Sequence, residues 1–291
     1  MLYVVATPIG NLQDMSPRAI AVLKHVDLIA AEDTRHSMKL LSHFDIHTPL
    51  TSYHEHNERD KAQRLVARML EQGISIALIT DAGTPAISDP GAILVMAAAQ
   101  AGIDVVAVPG PSAAIAALSV SGFDNPAFSF YAFPPREKKE LRQYLQDLAS
   151  MQQTAVFHES PHRVMNLLEA VLETLGDLPC SLSCDLSKLH EKTIRGSVSK
   201  AMAVFTDNEK AEKGEYVLVL DLSTTQAPSF EAPTIANLEA RLFDRLLSGL
   251  DSRQAMAALI DQGEKKNAVY AASLRLKKLL RDDFEHIISS N

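Results

Sequence analysis

Residues 81–91, DAGTPAISDPG, carry two aspartates, two glycines and two prolines directly after an apolar run that ends at Thr80. Glycine lets a ligand approach the main chain closely, and proline fixes φ and removes a donor, so the loop is open and stiff. A simple turn needs fewer special residues. The stretch therefore predicts a preorganised acidic loop that contacts a ligand, with Gly83 as the point of backbone approach.

Three further segments share this character, namely TPIGN (7–11), AEDTR (31–35) and PGPSA (109–113). Each follows an apolar run that predicts a strand. In an open α/β sheet, ligands bind beyond the carboxyl ends of the strands. The four segments are therefore expected to meet at one rim.

The elements that must position these loops alternate between strand and helix. Apolar runs at 2–7, 27–32, 74–80 and 103–108 are separated by helical patterns, which predicts a mainly parallel sheet. FDNPAF (123–128) interrupts the alternation, which then resumes. The predicted fold is α/β, with two α/β domains and a small all-helical C-terminal extension; the domains are expected at 1–122, 123–223 and 234–291, with a linker at 224–233.

Helical spacing makes some of these expectations specific. It places Met38, Leu41 and Phe44 on one stripe of a helix. A later helix is expected to begin after the cap Asn57 and to end at Gly73. Its apolar face is predicted to consist of Ala62, Leu65, Val66, Met69 and Leu70.

Composition narrows the class of protein. The 291 residues are 46% hydrophobic and 22% charged, as in ordinary globular proteins, and the net charge of −8 argues against a uniformly basic nucleic-acid-binding domain. No run approaches the roughly 18 apolar residues of a membrane-spanning helix, and the N-terminus lacks a basic leader. Cys180 and Cys184 are expected to be reduced thiols. A cytoplasmic protein without a membrane partner is expected.

Several common site motifs do not fit. The first loop offers only Gly10 where a dinucleotide fingerprint needs G-x-G-x-x-G, and no phosphate-binding P-loop or G-x-S-x-G nucleophile elbow occurs. His54 and His56 in YHEHNE could suggest a metal site. A polar loop that leads into the next helix is the favoured interpretation, and no metal is predicted.

Eight ordered motifs together carry a specific resemblance: ATPIGNL, AEDTR, EHNE, DAGTPAISDPG, VPGPSA, ESPHR, SKLHE and KGEYVLVL. The chain resembles the tetrapyrrole methylase superfamily over residues 1 to about 222, and within it the methyltransferases of small-subunit ribosomal RNA. The resemblance implies two α/β domains with S-adenosylmethionine between them. It implies methyl transfer to the ribose 2′-oxygen of a decoding-centre (P-site) cytidine of 16S rRNA, within the 30S subunit, by an enzyme that is often a homodimer.

The resemblance also implies site residues. Those expected to bind the cofactor are Pro8, Ile9, Asp81, Gly83, Thr84, Ile87, Ser112, Ala113, Phe157 and Glu159. The chain departs from the family pattern at His158, where tyrosine is usual, and at Cys184-Asp185, where Arg-Glu is usual.

A hydroxyl is a poor nucleophile near neutral pH, so a general base is expected to contribute. Glu32 and Asp33 are the predicted carboxylates, one of which orients or deprotonates the hydroxyl, and Arg35 is predicted to contact phosphate. The alternative is that Glu32 or Asp33 only caps the helix that begins at Thr34.

RNA must reach an acidic protein through local basic clusters, since phosphate contacts dominate such binding. The candidates are Arg136, Lys138, Lys139, Arg142, Arg163, Lys188, Arg275, Lys277, Lys278 and Arg281. Two other functions remain open. One is a tetrapyrrole methyltransferase that acts on a precorrin or uroporphyrinogen; the other is a non-catalytic, ribosome-associated cofactor-binding protein.

Overall fold

The computed structural model describes residues 1–124, 126–207, 213–223, 225 and 238–288, with side chains in the last helix as far as Lys278. The chain divides into two compact units, Met1–Ala227 and Pro228–Asn291. The first unit contains two β-sheets, and the described part of the second is helical.

The first sheet and its helices occupy the chain up to Ser119. The elements in order are β1 (Leu2–Val5), α1 (Pro17–His25), β2 (Leu28–Ala31), α2 (Thr34–His43), β3 (Leu50–Ser52), α3 (Glu58–Gln72), β4 (Ile76–Ile79), α4 (Ala92–Gln100), β5 (Val105–Val108) and α5 (Ala113–Ser119). The strand order is β3-β2-β4-β1-β5, and every pairing is parallel. The predicted parallel sheet is confirmed. The loops that follow β1, β2, β4 and β5 all leave from its carboxyl edge.

The second sheet occupies residues 128–221. Its elements are β6 (Phe128–Phe130), α6 (Lys138–Ala149), β7 (Thr154–Glu159), α7 (Val164–Leu175), β8 (Pro179–Cys184), β9 (Lys192–Ser197), α8 (Val198–Thr206) and β10 (Tyr216–Asp221). The order is β6-β7-β10-β8-β9, with β6 and β7 parallel and the other pairs antiparallel. This half is therefore α/β with a mixed sheet.

Helix α5 connects the two sheets through packing. Its Ala114 and Ala117 are buried against Val156, Val217 and Val219, which lie on one face of the second sheet. The opposite face of that sheet packs on α6, α7 and α8. Both faces of the first sheet are likewise covered by helices. Since α5 also follows β5 directly, the loop before it lies where the two sheets meet.

The second unit is a small helical cluster by itself. It contains α9 (Leu238–Leu247), α10 (Ser252–Asp261) and α11 (Lys266–Ile288), which bury Leu242, Leu259, Val269 and Leu276 together. Asp251 and Gln254 form a reciprocal capping box at the start of α10. The predicted three helices are present, and the third is longer than expected at 23 residues. The domain limits stay predictions, and the linker 224–233 lies outside the described residues except for Thr225.

Several local expectations need correction. Met38 and Leu70 are more than half exposed, because each sits at the edge of its apolar stripe, whereas Leu41 and Met69 are buried. Asn57 stands at the start of α3, but its side chain bonds His54 rather than the helix. Strands β3 and β9 were not expected, since LTS and KTIRGS carry no apolar alternation.

Candidate active-site cavity

One cavity of about 460 Å³ lies within the first unit, between the carboxyl edge of the first sheet and one side of the second. All four predicted rim segments contribute to its lining, through Ile9, Glu32, the 81–89 loop and Ser112. The second sheet adds Phe130, Phe133, His158, Glu215 and their neighbours. A volume between about 300 and 1,000 Å³ suits a small-molecule ligand.

The 81–91 loop is shaped by unusual backbone conformations. Ala86 and Ser88 have φ of 66° and 65°, which non-glycine residues rarely adopt, and they flank Ile87. Ile87 is 54% exposed and lines the cavity beside Asp89. At Gly91, φ is 146° and a Cβ would lie 2.8 Å from Leu78, so only glycine fits there.

The rim loops are tied to one another by hydrogen bonds. Thr7 and Gly83 exchange both backbone bonds, at 2.8 and 3.0 Å, and the Thr84 hydroxyl donates to the Pro111 carbonyl at 3.3 Å. Gly83 has φ of 82°. The backbone of Gly83 thus bridges two loops in a conformation that favours glycine, and the approach of a ligand to it stays a prediction.

Three carboxylates form the first-sheet wall of the cavity. Glu32 accepts the hydroxyl proton of Thr80 at 2.5 Å and faces the backbone N–H of Asp81 at 3.5 Å. Burial and the charge of Glu32 raise the pKa of Asp89 to about 6. The same two causes raise the pKa of Asp81. Among the described residues, neither lysine nor arginine lines this cavity.

The carboxylates of the second-sheet wall have cationic partners. Glu159 is 3% exposed; its Oε1 accepts the N–H of Ser160 at 2.7 Å, and its Oε2 lies 3.1 Å from Arg163. Glu215 lies 3.2 Å from Lys188, which also contacts Asp185 at 2.8 Å. Glu159 is thus a buried charge with a cationic partner, whereas Glu215 is 74% exposed and pairs with Lys188 at the surface.

His158 occupies the same wall between two aromatic rings. Its ring centre is 4.9 Å from that of Phe130 and 5.8 Å from that of Phe133. Burial lowers its pKa, so the imidazole is neutral near neutral pH. Its Nε2 is buried without a hydrogen-bond partner, which leaves a polar atom for a ligand to satisfy.

The predicted cofactor residues are mostly brought together. Those that line the cavity are Ile9, Asp81, Gly83, Thr84, Ile87, Ser112, Ala113 and Glu159. Pro8 and Phe157 do not line it: Pro8 is buried, and Phe157 packs in the core and stacks on Tyr131. Successive residues of a strand face opposite sides, so His158 rather than Phe157 faces the cavity.

Only one of the three predicted catalytic residues lies at the cavity. Glu32 lines the cavity, whereas Asp33 and Arg35 do not. Asp33 caps α2, accepting the N–H of Arg35 at 2.8 Å, and this bond lowers its pKa. The cap that the sequence offered as the alternative role is thus present at Asp33. The cavity residues that sequence reasoning did not assign include Asp89, whose loop carried a signal, and Tyr216, whose position depends on antiparallel pairing with β7.

The predicted RNA-binding residues differ in how far they are already engaged. Arg136, Lys138 and Lys139 are exposed at the start of α6, as are Lys277 and Lys278 on α11. Arg142 pairs with Glu173 at 2.5 Å and Arg275 with Glu239 at 2.5 Å. Arg163 donates to the carbonyls of Pro134 and Pro135, so it has an internal role. The Arg281 side chain lies outside the described residues.

Thiols, metal-ligating groups and long apolar helices add no further candidate site within the described residues. Cys180 and Cys184 are free thiols, the first buried and the second half-buried. Within the described residues, no group of three His, Cys, Asp or Glu side chains is placed to hold a metal. No helix in that same part of the chain is long and apolar enough to cross a membrane.

Known structures share this fold. Diphthine synthase superposes with a TM-score of 0.59 at 13% identity, over 75% of this chain and 88% of that one. A cobalt precorrin-4 methyltransferase gives a TM-score of 0.54 at 18% identity, over 75% of this chain and 93% of that one. At such identities the similarity concerns the fold alone.

Sequence relatives are closer and nearly collinear. A protein from Synechocystis sp. named ribosomal RNA small subunit methyltransferase I is 43% identical over 280 residues, which cover 95% of this chain and 98% of that protein. A protein of the same name from Bacillus subtilis is 41% identical over 275 residues, covering 94% and 93%. The family model for tetrapyrrole (corrin/porphyrin) methylases matches residues 1–202. The chain therefore belongs to the tetrapyrrole methylase family and, within it, to the ribosomal RNA small subunit methyltransferase I family.

Proposed function

We propose that this protein transfers a methyl group from S-adenosylmethionine to the ribose 2′-oxygen of a decoding-centre (P-site) cytidine in 16S rRNA. The observation that carries the proposal is the unpaired carboxylate wall, Glu32, Asp81 and Asp89, at the rim where the family's motifs meet. The nearly full-length relatives named for small-subunit ribosomal RNA support the class of substrate.

The cavity suits S-adenosylmethionine in size and in charge. When bound, this cofactor supplies a methyl group activated on a positively charged sulfonium. The unpaired carboxylates favour a cation, Ile9 and Ile87 offer apolar contact, and His158 presents an unsatisfied ring nitrogen. Residues of this chain that would hold the cofactor are Ile9, Asp81, Thr84, Ile87, Ser112, Ala113 and His158.

A smaller cleft beside α6 offers the substrate a path to this cavity. The cleft has a volume of about 120 Å³ and is lined by four cations, Arg136, Lys138, Arg142 and Arg163, and by Glu159, Glu169 and Glu173, of which Glu159 also lines the cavity. Phosphate groups bound by Arg136 and Lys138, which are exposed, would bring a ribose toward the methyl donor. Further proposals are that the helical unit, with Lys277 and Lys278, adds RNA contacts, and that the enzyme is a cytoplasmic homodimer acting on the 30S subunit.

A substrate competition tests the proposed function. The protein is incubated with methyl-labelled S-adenosylmethionine and, separately, with 30S subunits, naked 16S rRNA or uroporphyrinogen. Label in ribosomal RNA is expected. Label only in the macrocycle would favour a tetrapyrrole methyltransferase, and no transfer despite cofactor binding would favour a non-catalytic protein; either result contradicts the proposal.

The basic cleft is tested by the salt dependence of RNA affinity. Lys138→Ala should lower the slope of log affinity against log salt by about one, because one phosphate contact is lost. Lys24→Ala, which removes an exposed lysine from α1, is the matched control and should leave the slope unchanged. Equal slopes for the two variants would remove the cleft from the RNA path.

A further inference from the structure

The cavity holds a charge imbalance that the fold does not resolve by itself. The titratable groups that face it are Glu32, Asp81 and Asp89 from the first sheet and His158, Glu159, Glu215 and Tyr216 from the second. Glu159 and Glu215 have Arg163 and Lys188 as partners. The remaining three carboxylates lie together, and the described residues provide no cation among them; His36 contributes only a weak attraction at Asp81.

Hydrogen bonding separates Asp89 from the other two carboxylates. The Thr80 hydroxyl has one proton and gives it to Glu32 at 2.5 Å, and Asp81 Oδ1 accepts the N–H of Asp33 at 3.2 Å. Each of these two carboxylates therefore already accepts a hydrogen bond. Thr80 also lies within reach of Asp89. Thr80 contributes a hydrogen bond that lowers the pKa of Asp89, but burial and the charge of Glu32 outweigh it.

We propose that Asp89 is the catalytic base, which accepts the proton of the substrate hydroxyl and is kept ready as an anion by the positive charge of the bound methyl donor. This inference rests on the proposed function. In the step, the hydroxyl oxygen bonds the methyl carbon, the carbon–sulfur bond breaks with both electrons left on sulfur, and the hydroxyl proton moves to an Oδ of Asp89. One cation and one anion thereby become neutral groups.

The charge change favours this direction of proton movement. While a cation lies in the cavity, Asp89 loses its proton easily; once that charge has gone, Glu32 and Asp81 again repel the anion and Asp89 holds the proton. With an empty cavity the pKa of Asp89 is already about 6, close to the working range of a general base.

His158 is the competing proton acceptor in the cavity. Its Nε2 has no partner, but burial between Phe130 and Phe133 disfavours the imidazolium form and lowers the pKa. Glu32 is also less suitable, since its Oε2 already accepts the Thr80 hydroxyl and faces the Asp81 N–H. Asp89 is therefore the cavity group with the strongest reason to gain a proton when positive charge leaves.

The proposal predicts a proton linkage that is measurable without any RNA. Calorimetric titrations near pH 6, in buffers of different ionisation enthalpy, should show that S-adenosylmethionine releases about half a proton from the wild-type protein. S-adenosylhomocysteine, which lacks the sulfonium charge, should release much less. The dissociation constant of S-adenosylmethionine should rise about tenfold from about pH 7 to about pH 5.

Two variants assign the linkage to one carboxylate. Asp89→Asn should abolish the proton release and flatten the pH dependence while S-adenosylhomocysteine still binds, which shows that the variant is folded. Asp104→Asn, the same change on an exposed carboxylate before β5, should behave as wild type. Because bound S-adenosylmethionine lowers the pKa of Asp89, the single-turnover rate at saturating cofactor should stay constant through pH 6, whereas the rate at limiting cofactor should fall below about pH 6.

Different results would contradict the proposed function and the role of Asp89. If neither ligand binds at any pH, the cofactor assignment in the proposed function fails and the role of Asp89 fails with it. If S-adenosylmethionine binds without releasing protons, or if Asp89→Asn keeps the wild-type linkage, the proposed function stands and Asp89 is not the base.

Discussion

Both walls of the cavity are acidic, but only the carboxylates of the second-sheet wall have cationic partners. On the second-sheet wall, Glu159 lies 3.1 Å from Arg163 and Glu215 lies 3.2 Å from Lys188. On the first-sheet wall, Glu32, Asp81 and Asp89 share a threonine hydroxyl and backbone N–H groups, with no lysine or arginine among the described lining residues.

We therefore expect the carboxylates of the second-sheet wall to help maintain the fold and those of the first-sheet wall to bind a ligand. Removing the partner of a buried charge is strongly destabilising, because the remaining charge is left uncompensated. Unmatched carboxylates raise one another's pKa and reduce stability until a cation arrives. The two walls should therefore respond in opposite ways when a charge is removed.

The largest effect is expected on the first-sheet wall. Asp89→Asn should lower the single-turnover rate of methyl transfer about 10²- to 10⁴-fold, because the amide cannot accept the hydroxyl proton. Rapid quenching with labelled cofactor and saturating RNA measures this rate, and retained S-adenosylhomocysteine binding is the control. A rate within a few-fold of wild type would return the base role to another group.

The second-sheet wall should lose stability instead. Arg163→Ala should reduce the free energy of unfolding by about 2 kcal/mol, since the nearly buried Glu159 then lacks its cation. Arg142→Ala is the matched control, because its partner Glu173 is 60% exposed and such surface pairs contribute little. Denaturant titration measures both, and equal losses would show that the two pairs are energetically alike.

A smaller effect is expected just outside the first-sheet wall. Asp33→Ala should lower the free energy of unfolding through loss of the α2 cap, while Asp33→Asn can still accept the capping bonds and should lose less. Denaturant titration again gives the comparison. If Asp33→Asn slows the single-turnover rate as much as Asp89→Asn does, Asp33 regains its predicted catalytic role.

The smallest expected effect is a gain in stability rather than a loss. The pKa of Asp89 is raised from 3.8 to about 6, so the stability that its proton confers is present at low pH and is lost as pH rises through about 6. Without ligand, Asp89→Asn should therefore melt roughly 2–4 °C above wild type near pH 7.5 and at the same temperature near pH 4. Melting by circular dichroism measures the difference, and a lower melting temperature near pH 7.5 would contradict the unmatched-charge account.

Much of the cavity could be predicted from the sequence because parallel strands deliver their loops to one edge. The glycines, prolines and carboxylates that follow β1, β2, β4 and β5 mark this rim in the sequence itself. The second-sheet wall was harder to predict. Tyr216 reaches the cavity through its pairing with Glu159 on β7, which depends on contacts far apart in the chain.

The roles of individual residues could be assigned only from the distances between atoms in the structure. Gly83 was predicted to meet a ligand through its backbone, yet both its backbone groups pair with Thr7. Phe157 and His158 are adjacent in a strand that is covered on both faces, so hydrophobicity alone could not tell which one faces the cavity. Asp33 and Glu32 are neighbours in AEDTR, and their local sequence suits a cap or a base equally; the bonds of Asp33 to Arg35 and His36 show the cap.

Methyl transfer to a ribose hydroxyl is tested most directly by locating the transferred methyl group on a single nucleoside. Small-subunit ribosomal RNA labelled by this protein is digested to nucleosides, which are separated and identified by mass spectrometry. The label should be found in 2′-O-methylcytidine. Label in a methylated base, or in another ribose-methylated nucleoside, would contradict the proposed reaction.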